Sequence, residues 1–491
     1  MPATAMIPEP EKPPIPAPAI KRFVPWLVAV AFFMESLDTT ILNTAVPTIA
    51  TALHVAPLSM KAVLASYALS LAMFIPVSGW MADRFGTRRI FAAAIATFTL
   101  GSFLCGISRD IHLLVAFRIL QGCGGAMMVP VGRIVLVRTF ARSELVAAMT
   151  FVAIPGLVGP MLGPLLGGLI VSYAHWSLIF FVNIPIGLFG LLLVSRHLPD
   201  YRAESSPPLD VVGLILFGAG IALLSYVLEV FGEHNLPAAT LLGLLALALV
   251  LLAGYGLRAA TAAHPLLRLG LFRLRTFRLA VGGSLATRLG IGGVPFLLPL
   301  LYQVGLGFTP IQSGLLILPQ VLSALSLKMA MPKILTRFGY RRVLVANTAL
   351  LGILIMLFAT IGTTTPAWTI VAMALVLGFV TSLQYSSMNT LAYADVEDRF
   401  ASSASSIAST VQQLSISFGI AAASLATACF IPDRFHATTA EMIHGIHQAF
   451  LVLGGTTVVT ATIFTRLHAD DGDVVSRHKS AVQPGTAPNG S

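Results

Sequence analysis

The sequence predicts an all-α integral membrane protein with fourteen transmembrane spans, built as two six-helix bundles with two helices inserted between them. Composition is the first ground. Of 491 residues, 56% are hydrophobic and only 10% are charged, and mean hydropathy is +0.87. A soluble chain carries about 25% charged residues. The second ground is run length. Apolar stretches long enough to cross a hydrocarbon core, about 20 residues each, fall near 24–46, 61–81, 90–107, 111–135, 146–171, 177–195, 210–230, 239–258, 277–304, 311–334, 342–361, 368–391, 403–430 and 447–466. The third ground is a repeat. ADRFGTRRI (82–90), after the second run, returns as LTRFGYRRV (335–343), after the tenth. Repeats of this kind mark secondary transporters, whose halves pack about a central site.

Taken along the chain, residues 1–22 begin with a proline-rich stretch and are expected to form a disordered cytoplasmic tail. Lys21 and Arg22 precede an apolar run too long for a signal-peptide core, so it is expected to be an uncleaved first span. Residues 23–196 make the first six-helix bundle, and 197–272 a linker with two inserted transmembrane helices. Residues 273–466 make the second bundle, and the polar segment 467–491 a second disordered cytoplasmic tail.

An even number of spans puts both termini on one side. Loops on that side hold most of the 30 lysines and arginines, Arg84, Arg88, Arg89, Arg138, Arg142, Arg273, Arg275, Arg337, Arg341 and Arg342 among them. The other side holds Lys61, Arg109 and Arg434. The positive-inside rule makes the termini cytoplasmic and the protein a multi-pass resident of the plasma (inner) membrane. The net charge of +10 is then loop charge against the bilayer, and no nucleic-acid partner is expected. Cys105, Cys123 and Cys429 lie far apart within apolar stretches and suggest neither a disulfide framework nor a metal site.

Several motifs set polar or small residues where lipid would not tolerate them by chance. FMESLDTTILNTAVP (33–47) places Glu35 and Asp38 one turn apart inside an apolar run. An acid at the bilayer centre costs about 2.5–3.5 kcal/mol on insertion scales. FRILQGCGGA (117–126) buries Arg118 and Gln121 in the fourth run. In GWMADRFGTRR (79–89), Gly79 permits close helix approach, Asp83 can accept hydrogen bonds or pair with a cation, and three arginines hold the loop in the cytoplasm. A generic basic loop is the plainer reading, although Thr336 stands in place of the acid in a recognisable second copy. PGLVGPMLGPLLGG (155–168) sets Gly159, Gly163 and Gly167 on one helix face, followed by Gly168. Small residues at that spacing drive tight packing in lipid. Pro160 and Pro164 remove backbone donors, so the helix should bend or pack unusually. A simple dimerisation face would give the same pattern.

Together these stretches resemble the major facilitator superfamily, in particular its fourteen-span drug:proton antiporters of the EmrB/QacA type. GWMADRFGTRR is similar to the loop motif after the second helix, FRILQG to the fourth-helix arginine motif, and GPMLGPLLGG to the fifth-helix antiporter motif. LDTTILNTAVP (37–47), WSLIFFVNIPIG (176–187) and FTPIQSGLLILP (308–319) resemble signatures of the fourteen-span branch. GGAMMVPVGR (124–133) and YSSMNTL (385–391) look closest to the MdtD subgroup. The resemblance implies a major facilitator fold and proton-coupled efflux of drugs or other small amphipathic molecules. It implies Asp38 as the proton-coupling acid, with Arg118 tuning it. It also implies a conformational latch of Gly79, Asp83, Arg84 and Arg88, with Arg337 and Arg341 in the second copy. Glu35 is not part of the common branch pattern.

Depth supports a pairing. At 1.5 Å per residue across a core of about 30 Å, both Asp38 and Arg118 lie roughly 10 Å from the outer face, and Glu35 one turn deeper. An acid moved between an arginine and an apolar pocket changes its hold on a proton, which would couple proton binding to conformation. A packing role for either acid would not. Lys328 and Arg133 lie near inner helix ends and can snorkel. Arg288 sits near the midplane and is expected either to neutralise Glu35 or Asp38 or to bind an anion.

Gln121, Arg288, Gln384, Asn389, Gln412 and Gln413 are the expected cavity-lining polar residues. A cation exporter would use Glu35 and Asp38, whereas an exporter of a citrate-like carboxylate or its metal chelate would use Arg288 and Arg118. No resident metal or other cofactor is expected, and the proton gradient supplies the energy. Histidines such as His436, His444 and His447 are read as ordinary loop residues. HExxH, GxSxG and GxxxxGK[ST] motifs are missing, so no enzyme and no catalytic residues are expected. A membrane sensor would need a large soluble output domain, for which neither tail is long enough. Partners are the bilayer, protons and a small-molecule substrate, with a periplasmic adaptor protein left open.

Overall fold

The computed structural model describes residues 18–472, apart from 141, 203–207, 232–236, 398–399, 432–437 and 469. The expectations placed on 1–17, on residues beyond 472 and on His436 and Arg434 lie outside the described residues, as does that on the Lys328 side chain.

Long apolar segments in lipid must satisfy their own backbone groups, and helices do so within one segment. Helices run in the order α1 (Pro18–Ile41), α2 (Val46–Ala52), α3 (Lys61–Phe85), α4 (Thr87–Ile107), α5 (Ile111–Thr139), α6 (Arg142–Tyr173), α7 (Leu178–Phe181) and α8 (Asn183–His197). They continue as α9 (Val211–Phe231), α10 (Ala238–Thr261), α11 (Arg275–Ile291), α12 (Val294–Leu300), α13 (Pro310–Leu357), α14 (Ala367–Ala392), α15 (Ala401–Ala428) and α16 (Thr439–Phe464). Among the described residues no strand occurs.

Among the described residues twelve stretches are long and apolar enough to cross a bilayer. The spans expected at 146–171 and 311–334 are helical, as α6 and the start of α13, and their described apolar stretches are Val158–Tyr173 and Pro310–Ala324. Two expectations about the tails are corrected. The first tail stops short of residue 22. Helix α1 already begins at Pro18, where a first-turn proline costs no hydrogen bond, and Lys21 pairs with Glu144 of α6 at 2.7 Å. Nor is the second tail free from 467 onwards. Leu467 is buried, and Asp471 is held by Arg275 at 2.5 Å.

Helices α1, α3, α4, α5, α6 and α8 pack on one another, and α11, α13, α14, α15 and α16 form a second set. The sets meet along two seams, α3 against α15 and α6 against α13. Helix α9 touches both α3 and α15 at the first seam, and α10 packs on α9.

The sequence repeat is also a geometric one. Gly86 turns the chain between α3 and α4 with φ 96° and ψ 142°. Gly339 makes the same kind of corner inside α13, with φ 72° and ψ 163°. Both conformations favour glycine because it lacks a Cβ. The chain also breaks in both sets. After α1 a 3-10 turn over Asn43–Ala45 leads into α2, and after α11 Gly292 and Gly293 lead into α12. Each seven-residue continuation opens on Val-Pro, Val46-Pro47 and Val294-Pro295.

These two short helices touch, and Gln303 Nε2 donates to Thr44 O across the sets at 2.8 Å. Leu42, Ile49, Val294 and Leu297 share one buried apolar cluster there. The sets are thus sealed at the end opposite the Gly86 and Gly339 corners. The glycine face of α6 explains the α1 contact. A methyl on Gly159, Gly163 or Gly167 would overlap Ser36, Thr40 or Ile41 and Thr44, respectively. Gly168 instead faces the second set, where a Cβ would come within 2.5 Å of Pro310 O. Beside Pro160, Pro164 offers its carbonyl to the Thr44 hydroxyl at 3.1 Å.

Candidate functional site: a buried ion pair beside a cavity

Asp38 comes from α1 one turn before the chain breaks, and it is 1% exposed. Arg118 of α5, equally buried, donates through Nη1 to Asp38 Oδ2 at 2.6 Å. Gln121 lies one turn further along α5, so its amide points the same way as Arg118. Gln121 Nε2 donates to Asp38 Oδ1 at 2.8 Å, and Asn183 Nδ2 of α8 donates to the same oxygen at 3.0 Å. Both oxygens of the acid therefore serve as acceptors. The network extends outward. Gln121 Oε1 accepts from Arg118 Nη1 at 2.8 Å, while its Nε2 also reaches Ser102 Oγ at 2.7 Å. The guanidinium donates from Nε to Val63 O at 3.4 Å and lies over the Tyr67 ring at 4.1 Å. A buried pair is tolerable only when its remaining donors and acceptors are met, and here four helices meet them.

Beside this cluster lies a cavity of about 790 Å³ between the two helix sets. Its first wall includes Phe32, Glu35 and Ser36 of α1, Gly79 and Asp83 of α3, and Arg133 and Arg138 of α5. The facing wall is α15, which contributes Ser405, Ser406, Ser409, Gln412 and Gln413. The cavity reaches the end bearing the Gly86 corner, opposite the sealed end. Glu35 therefore faces the cavity, whereas Asp38, three residues on, is enclosed among α4, α5 and α8.

The expected site residues divide accordingly. Asp38 and Arg118 are in contact, and Glu35, Gln412 and Gln413 reach the cavity wall. Gln121 belongs to the Asp38 cluster and not to that wall. Gln384 is buried within the second set, accepting from Asn347 Nδ2 at 2.9 Å and donating to Thr348 Oγ1 at 2.7 Å. Asn389 is exposed near the end of α14. Arg288, expected to neutralise Glu35 or Asp38, pairs with neither. It stacks over Tyr385 at 3.6 Å and donates to Ser284 Oγ at 3.0 Å. The reason is its helix face: it is buried on α11 inside the second set.

The latch residues are also apart. Asp83 pairs with Arg138 at 2.7 Å, within its own set. A Cβ on Gly79 would meet nothing within 4 Å, so the close approach expected there is not made in this conformation. Arg88 donates from its backbone to Asp200 Oδ1 at 3.2 Å and from Nη2 to Ser195 O. Arg84, Arg337 and Arg341 are exposed. His447 is half-buried, its Nε2 donating to Ile361 O at 2.8 Å, and is not a free loop residue.

Sequence reasoning missed Asn183, Ser102 and Tyr67 in the cluster, and Ser405, Ser406 and Ser409 on the cavity wall. Asn183, an amide inside WSLIFFVNIPIG, was a visible signal. The serines were not, since hydroxyls are common in membrane helices, where they can bond to their own backbone.

Residues 28–420 match the family model described as Major Facilitator Superfamily. A protein of Escherichia coli O7:K1, provisionally named multidrug resistance protein MdtD, is 41% identical over 473 residues, covering 95% of this chain and 99% of that protein. A Serratia proteamaculans protein of the same name is 39% identical over 465 residues, covering 94% and 96%. A crystal structure of a peptide transporter in complex with sulfate superposes with TM-score 0.67 at 14% identity, covering 92% of this chain and 95% of that one. A bacterial homologue of the human lysosomal transporter Spinster, in an inward-facing and unoccupied conformation, gives 0.66 at 13% identity, covering 95% and 100%.

Proposed function

Because the chain belongs to the major facilitator superfamily, we propose that it is a proton-driven antiporter exporting drugs or other small amphipathic molecules by alternating access. It is a transporter and not an enzyme. In this reading α6 and the start of α13 complete fourteen spans, giving two bundles of six about the inserted α9 and α10. In the same reading the arginine-rich loops and both termini face the cytoplasm, and the chain lies in the inner membrane. The cavity then opens inward, and the Asp83 latch is released.

One observation carries the reading: an acid ion-paired inside one bundle, a turn away from a second acid on the cavity wall. Protonating Asp38 removes the charge that holds Arg118 and turns one acceptor oxygen into a donor, so the network around it must rearrange. A network with two arrangements, biased by a proton on one side and by substrate on the other, is what exchange requires. Glu35 supplies negative charge where an amphipathic cation would dock, against the hydroxyl and amide wall of α15. The relatives named for multidrug resistance support this substrate class.

The test is transport by the reconstituted protein under an imposed pH gradient, with ethidium as the probe cation. The wild type should accumulate it, and Asp38→Asn should lose the gradient-driven part while still binding it. Full gradient-driven transport by Asp38→Asn would end this reading.

One observation favours a second reading. Arg288 is buried, with no carboxylate paired to it among the described residues, and a buried cation of this kind suits a citrate-like anion or its metal chelate. Uptake of citrate but not ethidium, lost in Arg288→Ala, would decide for it.

A further inference from the structure

The proposed antiport leaves a gap, since a proton must travel between a cavity that touches Glu35 and an acid sealed away from it. Tyr67 lies in that gap. Its side chain is 1% exposed, and its ring covers the Arg118 guanidinium at 4.1 Å. Its hydroxyl is buried and makes no hydrogen bond among the described residues. A buried hydroxyl without a partner costs about 1–3 kcal/mol. Every other polar group around Asp38 described above is satisfied. The direction of the hydroxyl is informative as well. It lies 2.8 Å from where a Cβ on Gly125 would stand, and Gly125 is part of the cavity wall. The ring thus spans from the ion pair to the cavity boundary.

The charged and titratable groups around it come from three helices. Glu35 and Asp38 of α1 lie within its electrostatic reach, and Arg118 of α5 touches its ring. Cys105 on α4 lies beyond Gln121, and Arg133 stands further along α5 on the cavity wall.

Resting on the antiport reading above, we propose that Tyr67 relays a proton between the cavity-facing Glu35 and the sealed Asp38. The transfer balances without any further reactant. When the Tyr67 hydroxyl turns to bridge the two carboxylates, protonated Glu35 gives its proton to the Tyr67 oxygen as the phenol proton passes to Asp38, so an O–H bond breaks and another forms at Tyr67. Glu35 ends as a carboxylate, Tyr67 is unchanged, and Asp38 is neutral. Arg118 then loses its counter-charge and is free to leave. Gly125 is required beside the phenol, because any side chain there would strike the hydroxyl.

The test compares purified wild type, Tyr67→Phe and Asp38→Asn after a rapid acid jump, with proton uptake followed by a pH-sensitive dye and thermal unfolding measured alongside. Tyr67→Phe should bind as many protons as wild type but at least about tenfold more slowly, and should unfold at the same or a higher temperature because no hydrogen bond is lost. Uptake at the wild-type rate would overturn the relay, and so would a clear fall in unfolding temperature, which would reveal a structural bond. Asp38→Asn separates the two claims. Uptake unchanged in that variant would refute the role of Asp38 itself, whereas reduced uptake there with normal Tyr67→Phe kinetics would refute only the relay.

Discussion

Asp38 lies four residues before Leu42, where α1 breaks, and Arg288 lies four residues before Gly292, where α11 breaks. The first is met by a guanidinium and two amides, all donating to it. The second is met by an aromatic face and a serine hydroxyl. Nearby, the second set satisfies its buried amides among themselves, through Asn347, Gln384 and Thr348. Moving one proton therefore dismantles the first network and leaves the second as it was. The two halves share corners and helix breaks, but among the described residues the fully buried ion pair lies in the first, and the Arg275–Asp471 pair of the second is exposed at its arginine. What the two halves share is mechanical, and what differs between them is the charge chemistry.

The comparison is broken or sharpened most strongly by removing each arginine. Arg118→Ala leaves Asp38 buried without a counter-charge and should cost about 3–5 kcal/mol, seen as a large drop in unfolding temperature in detergent. Arg288→Ala deletes a cation that pairs with no acid among the described residues and should leave stability near the wild-type value. Equal losses would show that the second set also relies on buried charge. A smaller contrast comes from the amide network. Asn347→Leu strands the Gln384 carbonyl and should cost about 1–3 kcal/mol, with no change in proton uptake by the purified protein. The smallest effect is at the corners. Asp83→Thr copies into the first half the residue found at Thr336. It breaks only a partly exposed pair with Arg138, so stability should change by about 1 kcal/mol or less. Its consequence should instead show in how long the cavity stays open, measured by distance labels on α3 and α15.

Hydropathy and charge are local properties, so the sequence by itself determined the membrane class, the helices and the repeat of the corners. Gly86 and Gly339 were legible because one residue type suits that turn, and the α6 glycines because their spacing defines a face. Even the Asp38–Arg118 contact was allowed by depth, which helix rise sets almost alone. Rotation about each helix axis was not legible. It put Gln121 into the acid's cluster and turned Gln384 into its own bundle, and it left Glu35 on the cavity wall one turn from a sealed Asp38. It also carried Arg288 away from both acids. Rotation is decided by how neighbouring helices pack, through Gly159, Gly163 and Gly167 against α1 and through Asn183 arriving from α8. Those contacts join residues more than a hundred positions apart, and only the tertiary structure brings them together.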